Sequence, residues 1–137
     1  MEERSAGAVI FLKTNKVMFL ILNYPSGHWD FVKGNIEKGE THQETIIRET
    51  REETGIQDLK IINGFNKEVQ YSYYRKQTKI NKKVFYHLAE TNTKKITISI
   101  EHIGYKWLSF SDMIKTLTYE SSLHVLKEAK NRLKIIN

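Results

Sequence analysis

The chain contains no cysteine. That removes disulfides, thiolate metal sites and cysteine nucleophiles from consideration, and it fits the cytoplasm. No apolar run is long enough to span a bilayer. The amino-terminal stretch MEERSAGAVIF lacks the basic start and cleavage region of a signal peptide. Internal repeats, low-complexity segments and linkers are also missing, so the reading is one domain over residues 1–137, long enough for a real core. With 39% hydrophobic and 28% charged residues the composition is that of a soluble globular protein. A net charge of +6 favours polyanionic partners such as nucleotides or RNA, and fits equally well an ordinary lysine-bearing surface.

Two β-rich runs, residues 5–12 and 17–22, are joined by a short polar turn. Their near-continuous apolarity predicts strands covered on both faces. The only proline, Pro25, and Gly27 mark a loop, after which residues 28–31 form a short extended piece leading to Lys33 and Gly34. Residues 59–74 read as a long strand interrupted near Asn63 and Gly64, residues 75–83 as a basic hairpin loop, and residues 84–89 as the returning strand. Ile96, Ile98 and Ile100 alternate as in a strand over residues 95–100, a loop follows, and residues 105–108 form another short strand. A helix starts at Ser109 or Ser111 and ends near Leu117. A last one opens at Tyr119 or Ser121, with Leu123, Leu126, Lys130 and Leu133 as its stripe. Strands, helix, strands, helices make an α/β protein with a mixed β-sheet between helices.

The stretch GNIEKGETHQETIIRETREETGI, residues 34–56, carries the chemistry. Thr41 through Glu44 fits a capping box, and Gly55 sits where a helix stops. At about 100° per residue, Glu49, Glu52 and Glu53 share one arc of the helix, while Ile46, Ile47, Thr50 and Thr54 fall on the neighbouring core face. Like charges spaced by three and four residues repel. A hard divalent cation converts the repulsion into binding. The competing reading is a solvated acidic face offset by Arg48 and Arg51.

Gly34, Glu40 and the run from Arg48 to Ile56 together resemble the complete Nudix box, with Thr50 standing where the family prefers an aliphatic residue. The resemblance implies the Nudix fold, an α/β/α sandwich, a bound Mg²⁺ or Mn²⁺, and hydrolysis of a nucleoside diphosphate linked to another group. The strings around His28–Gly34, Gly64–Phe65, Tyr86–Glu90, Glu101–His102 and Tyr105–Leu108 are similar to those of the asymmetric diadenosine tetraphosphate hydrolases. Val32 and Asn35 depart from that group, which usually has proline and often histidine there. On this resemblance the metal ligands come from Glu49, Glu52, Glu53, Glu101 and the Gly34 carbonyl. The catalytic carboxylates come from Glu52, Glu53 and Glu101.

Lys33, His28 and Lys83 are the candidate phosphate contacts, and the same resemblance implies that Tyr86 and Tyr119 sandwich adenine, with core packing the competing reading for Tyr86. Arg48, Glu40 and Gly55 take structural roles: Arg48 pairs with a box glutamate, Glu40 orients the loop, and Gly55 ends the helix. The cluster Arg75, Lys76, Lys79, Lys82 and Lys83 is read as a solvated hairpin, with distal phosphates or RNA as the alternative. The expected substrate is a dinucleoside polyphosphate or other nucleotide. The resemblance implies that diadenosine tetraphosphate is cut to ATP and AMP. The rivals are removal of pyrophosphate from an RNA 5′ end and a nucleotide-sensing module without turnover.

Overall fold

Strand β1 (Glu2–Lys13) is the axis of the sheet in the computed structural model, which describes residues 1–134. Along one edge it runs parallel to β6 (Thr78–Glu90), from Glu2 opposite Asn81 to Phe11 opposite Glu90. Its other edge is divided between two antiparallel partners. Residues 5–8 pair with β4 (Val32–Asn35) and residues 11–13 with β2 (Val17–Asn23). β3 (Trp29–Asp30) and β7 (Gly104–Leu108) both pair with β2, and β5 (Lys60–Arg75) pairs antiparallel with β6. The sheet is therefore mixed. Ser5 through Leu12 are all buried, as the two-sided apolar run predicts.

Helix α1 (His42–Thr54) covers one face, where Ala6, Ala8 and Ile10 pack with Ile46 and Ile56. Helices α2 (Phe110–Thr116) and α3 (Glu120–Leu133) cover the other. There Val9, Phe11, Val84 and Leu88 meet Phe110, Met113, Val125, Leu126 and Ala129. This is the α/β/α sandwich.

α1 begins with a reciprocal cap. Thr41 Oγ1 accepts from the Glu44 amide at 3.1 Å, and Glu44 Oε1 accepts from the Thr41 amide at 2.9 Å. It ends at Gly55, whose φ of 79° is left-handed and whose N–H reaches Arg51 O. Its buried residues are Thr45, Ile46, Thr50, Glu53 and Thr54, while Ile47 is 41% exposed. The core face is therefore rotated from the expected one. At about 100° per residue its centre lies near Ile46 and Glu53, which carries Glu49 and Glu53 inward and leaves Ile47 and Glu52 outside.

Three further expectations are corrected. Residues 95–100 form no strand, because the amides that would enter a ladder donate to the end of α1 instead. Thr97 N bonds Thr54 O at 3.0 Å and Ser99 N bonds Glu53 O at 3.2 Å. Ile96 and Ile98 still pack on the α1 side, whereas Ile100 is fully exposed. The basic hairpin is strand almost to its tip: Arg75 pairs with Thr78 across a tight turn in which Lys76 has φ 57°. In α3 the buried set is Ser122, Val125, Leu126 and Ala129, so of the expected stripe only Leu126 lies at its centre. The expected interruption of β5 is present as a register shift between Ile62 and Lys67.

Thr50, where the family pattern prefers an aliphatic side chain, is fully buried, and its Oγ1 has no hydrogen-bond partner. An unpaired buried hydroxyl costs on the order of 1–3 kcal/mol. Thr50→Val, which keeps the shape and removes the hydroxyl, is expected to raise unfolding stability by about 1 kcal/mol. A denaturant midpoint that stays put or falls contradicts this.

Candidate active site

The site begins where β4 passes beneath α1. A Cβ added to Gly34 would lie 2.0 Å from the Glu49 carboxyl carbon, so only glycine lets this carboxylate lie against the strand. Arg48 holds the surroundings together. Its Nε and Nη2 fork onto Glu40 at 2.7 and 3.0 Å, Nη2 also donates to Asn35 O at 3.0 Å, and Nη1 donates to Glu49 Oε1 at 2.8 Å. The Arg48 hydrogen bond, followed by that from the Glu37 amide, holds the Glu40 carboxyl down to about 2. Glu40 also accepts from Thr45 Oγ1 at 2.8 Å, so it ties the box loop to the helix.

One turn beyond Glu49, Glu53 is 5% exposed. Its Oε1 meets His102 Nε2 at 2.5 Å, while Oε2 and His102 Nδ1 are buried without partners. Burial first, then the Glu49 carboxylate, and then Glu101 and Glu52, push the Glu53 carboxyl up to about 9. Burial also pulls His102 down, against the pull of Glu101 and Glu49. Glu101 stands exposed on the loop before β7 and lines the same cleft as Gly34, Glu49, Glu53 and His102. That cleft holds about 620 Å³.

A second cleft of about 610 Å³, largely aromatic, shares Tyr24, His28 and Lys33 with the first. Pairing across β4, β1, β6 and β5 explains its composition. Lys33 and Tyr86 both pair with Gly7, and Lys82 pairs with Glu3 and Tyr71. Period-two alternation then places Lys33, Tyr86, Lys82 and Tyr71 on one face of the sheet. Lys33 Nζ pairs with Asp30 Oδ2 at 3.0 Å. Burial lowers its pKa, but the Asp30 charge and hydrogen bond, with Tyr71 and Tyr119, leave it raised overall.

His28 packs against the Tyr24 and Tyr119 rings, with centroids 4.6 and 5.3 Å apart, and its Nδ1 faces Ser26 Oγ. Burial, followed by the opposing Asp30 and reinforcing Lys33 charges, lowers its pKa. Tyr24 is anchored by its hydroxyl on Phe31 O at 2.5 Å.

The structure changes three of the expected assignments. Tyr86 lines the aromatic cleft but is only 2% exposed and edge-on to Phe31, so it offers no open face for a base. The exposed rings are Tyr119 at 45% and Tyr71 at 41%. Lys83 lies on the opposite sheet face from Tyr86 and does not line the acidic cleft, which takes Lys82 instead. Glu52 points outward, 58% exposed in its side chain and 3.5 Å from Arg48, and does not line the cleft. Tyr71, Lys82, Tyr24 and His102 were missed as site residues. The signal for the first two was strand parity: a residue two or four positions from an inward-facing one shares its face.

A divalent cation fits the donor set. Among the described residues Glu53 Oε2 is buried without a hydrogen-bond partner beside the Glu49 carboxylate, so without a cation the site favours the protonated form of Glu53. No three carboxylate or imidazole groups are gathered into a ready ligand set among the described residues. Glu49 is turned to Arg48 and Glu53 to His102.

Residues 1–128 match the NUDIX domain family. The asymmetrical bis(5′-nucleosyl)-tetraphosphatase of Mus musculus is 35% identical over 93% of both chains. An RNA pyrophosphohydrolase of Nitratiruptor is 30% identical over 82% of this chain and 81% of its own length. A crystal structure of a C. elegans Ap4A hydrolase binary complex superposes with a TM-score of 0.84 at 33% identity, covering 96% of this chain and 98% of that one.

Glu53 predicts a pH signature. Its carboxyl is raised in the folded chain from an ordinary 4.5 to about 9, so its contribution to stability is complete below the unfolded value and is lost as pH rises through about 9. His102, shifted downward, works in the opposite sense and only as pH falls below its ordinary 6.5. In the absence of divalent cations, raising pH from about 7 to 9 is expected to lower the melting temperature of the native chain relative to Glu53→Gln. Parallel curves for the two proteins would show that Glu53 is ionised throughout that window.

Proposed function

The chain belongs to the NUDIX family, and we propose that within it the protein is an asymmetrical bis(5′-nucleosyl)-tetraphosphatase that splits diadenosine tetraphosphate into ATP and AMP. The observation that carries this reading is the joining of two clefts, one acidic and one aromatic, through Tyr24, His28 and Lys33. The similarity to relatives named for this activity supports it. Tyr71 and Tyr119 grip one adenine; stacking of this kind contributes about 1–3 kcal/mol per base. Lys33, with Lys82 beside the acidic cleft, draws the phosphate chain from the clamp towards Glu49 and Glu53.

Glu49, Glu53, Glu101 and the Gly34 carbonyl are the groups that would hold Mg²⁺ or Mn²⁺, which supplies acidification of a bound water and relief of charge on the phosphate oxygens. Glu101, exposed at the cleft, either completes that set or takes the proton of the attacking water. The new bond joins the water oxygen to phosphorus, and the bridging P–O bond to the leaving nucleotide breaks. Arg48 keeps Glu49 in place, and Glu52 tunes the local charge from outside the cleft. A cytoplasmic setting suits a cysteine-free chain acting on soluble nucleotides.

The resemblance to an RNA pyrophosphohydrolase and the basic hairpin Arg75, Lys76 and Lys79 favour a second reading, release of pyrophosphate from an RNA 5′ end. A nucleotide-sensing role without turnover leaves the full set of box carboxylates without a purpose.

An adenine fixed at one end and a phosphate chain of fixed length present one off-centre phosphorus to the water. Hydrolysis of diadenosine tetraphosphate in ¹⁸O-labelled water is expected to yield ATP and AMP, with the label in only one of them. Two ADP as the main products contradict the asymmetric assignment. An intact dinucleotide with rapid pyrophosphate release from 5′-triphosphate RNA selects the second reading.

A further inference from the structure

Asp30 is 1% exposed, and both of its carboxylate oxygens are engaged. Oδ1 accepts from the Phe31 amide at 2.9 Å and from Ser122 Oγ at 2.7 Å; Oδ2 faces Lys33 Nζ at 3.0 Å. These partners lie on different parts of the fold. Lys33 is on β4, and Ser122 is in the first turn of α3, next to the aromatic cleft. β3, which carries Asp30, is only two residues long and is bonded to the same helix start a second time. Trp29 N donates to Thr118 Oγ1 at 2.8 Å, and Thr118 N donates to Trp29 O at 3.2 Å. Tyr119 itself makes no side-chain cap hydrogen bond. Its position is set by Thr118 before it and Ser122 after it, both bound to β3.

A buried ion pair is a poor source of stability, since well-packed apolar side chains do as well or better in its place. Its presence between two substrate-facing elements calls for another role. We propose that Asp30 is a positioning residue that yokes Lys33 to the start of α3, so that gripping the adenine and placing the phosphates act as one unit. The inference rests on the proposed nucleotide site, but not on which bond is cleaved. Tyr119 stacked on a base loads the first turn of α3, which Ser122 and Thr118 already tie to β3. The carboxylate receiving Ser122 Oγ is the one that holds the Lys33 ammonium, so ordering one arm orders the other. A nucleoside without phosphates, or a polyphosphate without a base, engages only one arm.

The test is binding of ATP, and separately of adenosine, measured by titration calorimetry in EDTA so that no turnover is involved. Lys33→Met, Tyr119→Ala and the double variant are compared in three backgrounds: native, Asp30→Asn and Ser122→Ala. In the native background the double variant is expected to lose roughly fivefold less ATP affinity than the product of the single losses, the mark of coupled residues. In Asp30→Asn the losses should multiply independently. Ser122→Ala cuts the link from Asp30 to α3 while sparing the Lys33–Asp30 pair and the Thr118–Trp29 hydrogen bonds. It should also abolish the coupling, and Ser122→Thr should restore it. It decides the matter if Asp30→Asn does not fold, as judged by circular dichroism.

Coupling that persists in Asp30→Asn or Ser122→Ala overturns the inference, as does a fall in melting temperature with coupling unchanged, since that is what a merely structural residue would show. A native chain that binds neither adenosine nor ATP overturns the proposed function itself, a result distinct from loss of coupling.

Discussion

Everything at the site follows from one constraint: the Glu53 carboxylate is taken out of water and set beside Glu49. Each feature around it makes that placement possible. The α1 core face is rotated to turn Glu53 inward, and Gly34 leaves room for the Glu49 carboxylate against β4. Arg48 offsets part of the negative charge, and His102 takes one oxygen of Glu53. Residues 97–99 bond the last carbonyls of α1 and bring the chain towards Glu101, so the absent strand there serves the site. What is left over is one buried oxygen of Glu53 without a partner among the described residues, on a carboxyl that holds its proton until a dication can take the proton's place.

The box helix was legible because its signals are local. Capping side chains, a left-handed glycine and a carboxylate flank are set by spacing alone, and the observed caps match residue for residue. The mixed sheet and the two helix-covered faces followed from the order and apolarity of the elements. The rest depended on contacts distant in sequence. Ile47 belonged to the expected stripe, yet it lies just outside the buried arc, which centres on Ile46 and Glu53. Residues 95–100 alternate like a strand, yet their amides are taken by a helix end some forty residues earlier, about which periodicity carries no information. The hairpin was read as a loop because it is polar: Ile80 is the one fully buried residue of 75–83, too little for an alternation to show.

The aromatic cleft shows the same division. Tyr86 and Tyr119 were both expected to hold a base, and both line the cleft. Burial separates them: Tyr86 packs under Phe31 as part of the core, and Tyr71 on the neighbouring strand presents its ring instead. Lys82 replaces Lys83 for a related reason, since successive residues of β6 point to opposite faces of the sheet. Once one inward residue is known on each strand, parity assigns the others. The Asp30 network had no signal in the sequence, because its partners Lys33 and Ser122 lie 3 and 92 positions away.

The most direct test of the account is Mn²⁺ binding followed by electron paramagnetic resonance, as a function of pH, in the native chain and in Glu53→Gln. A carboxyl that keeps its proton up to about 9 must release it before it can ligate a metal. The account predicts that affinity in the native chain rises as pH climbs from about 7 towards 9, and that Glu53→Gln binds more weakly with no such rise. Equal, pH-independent binding by the two proteins would contradict the claim that the metal binds by displacing the proton of a buried Glu53.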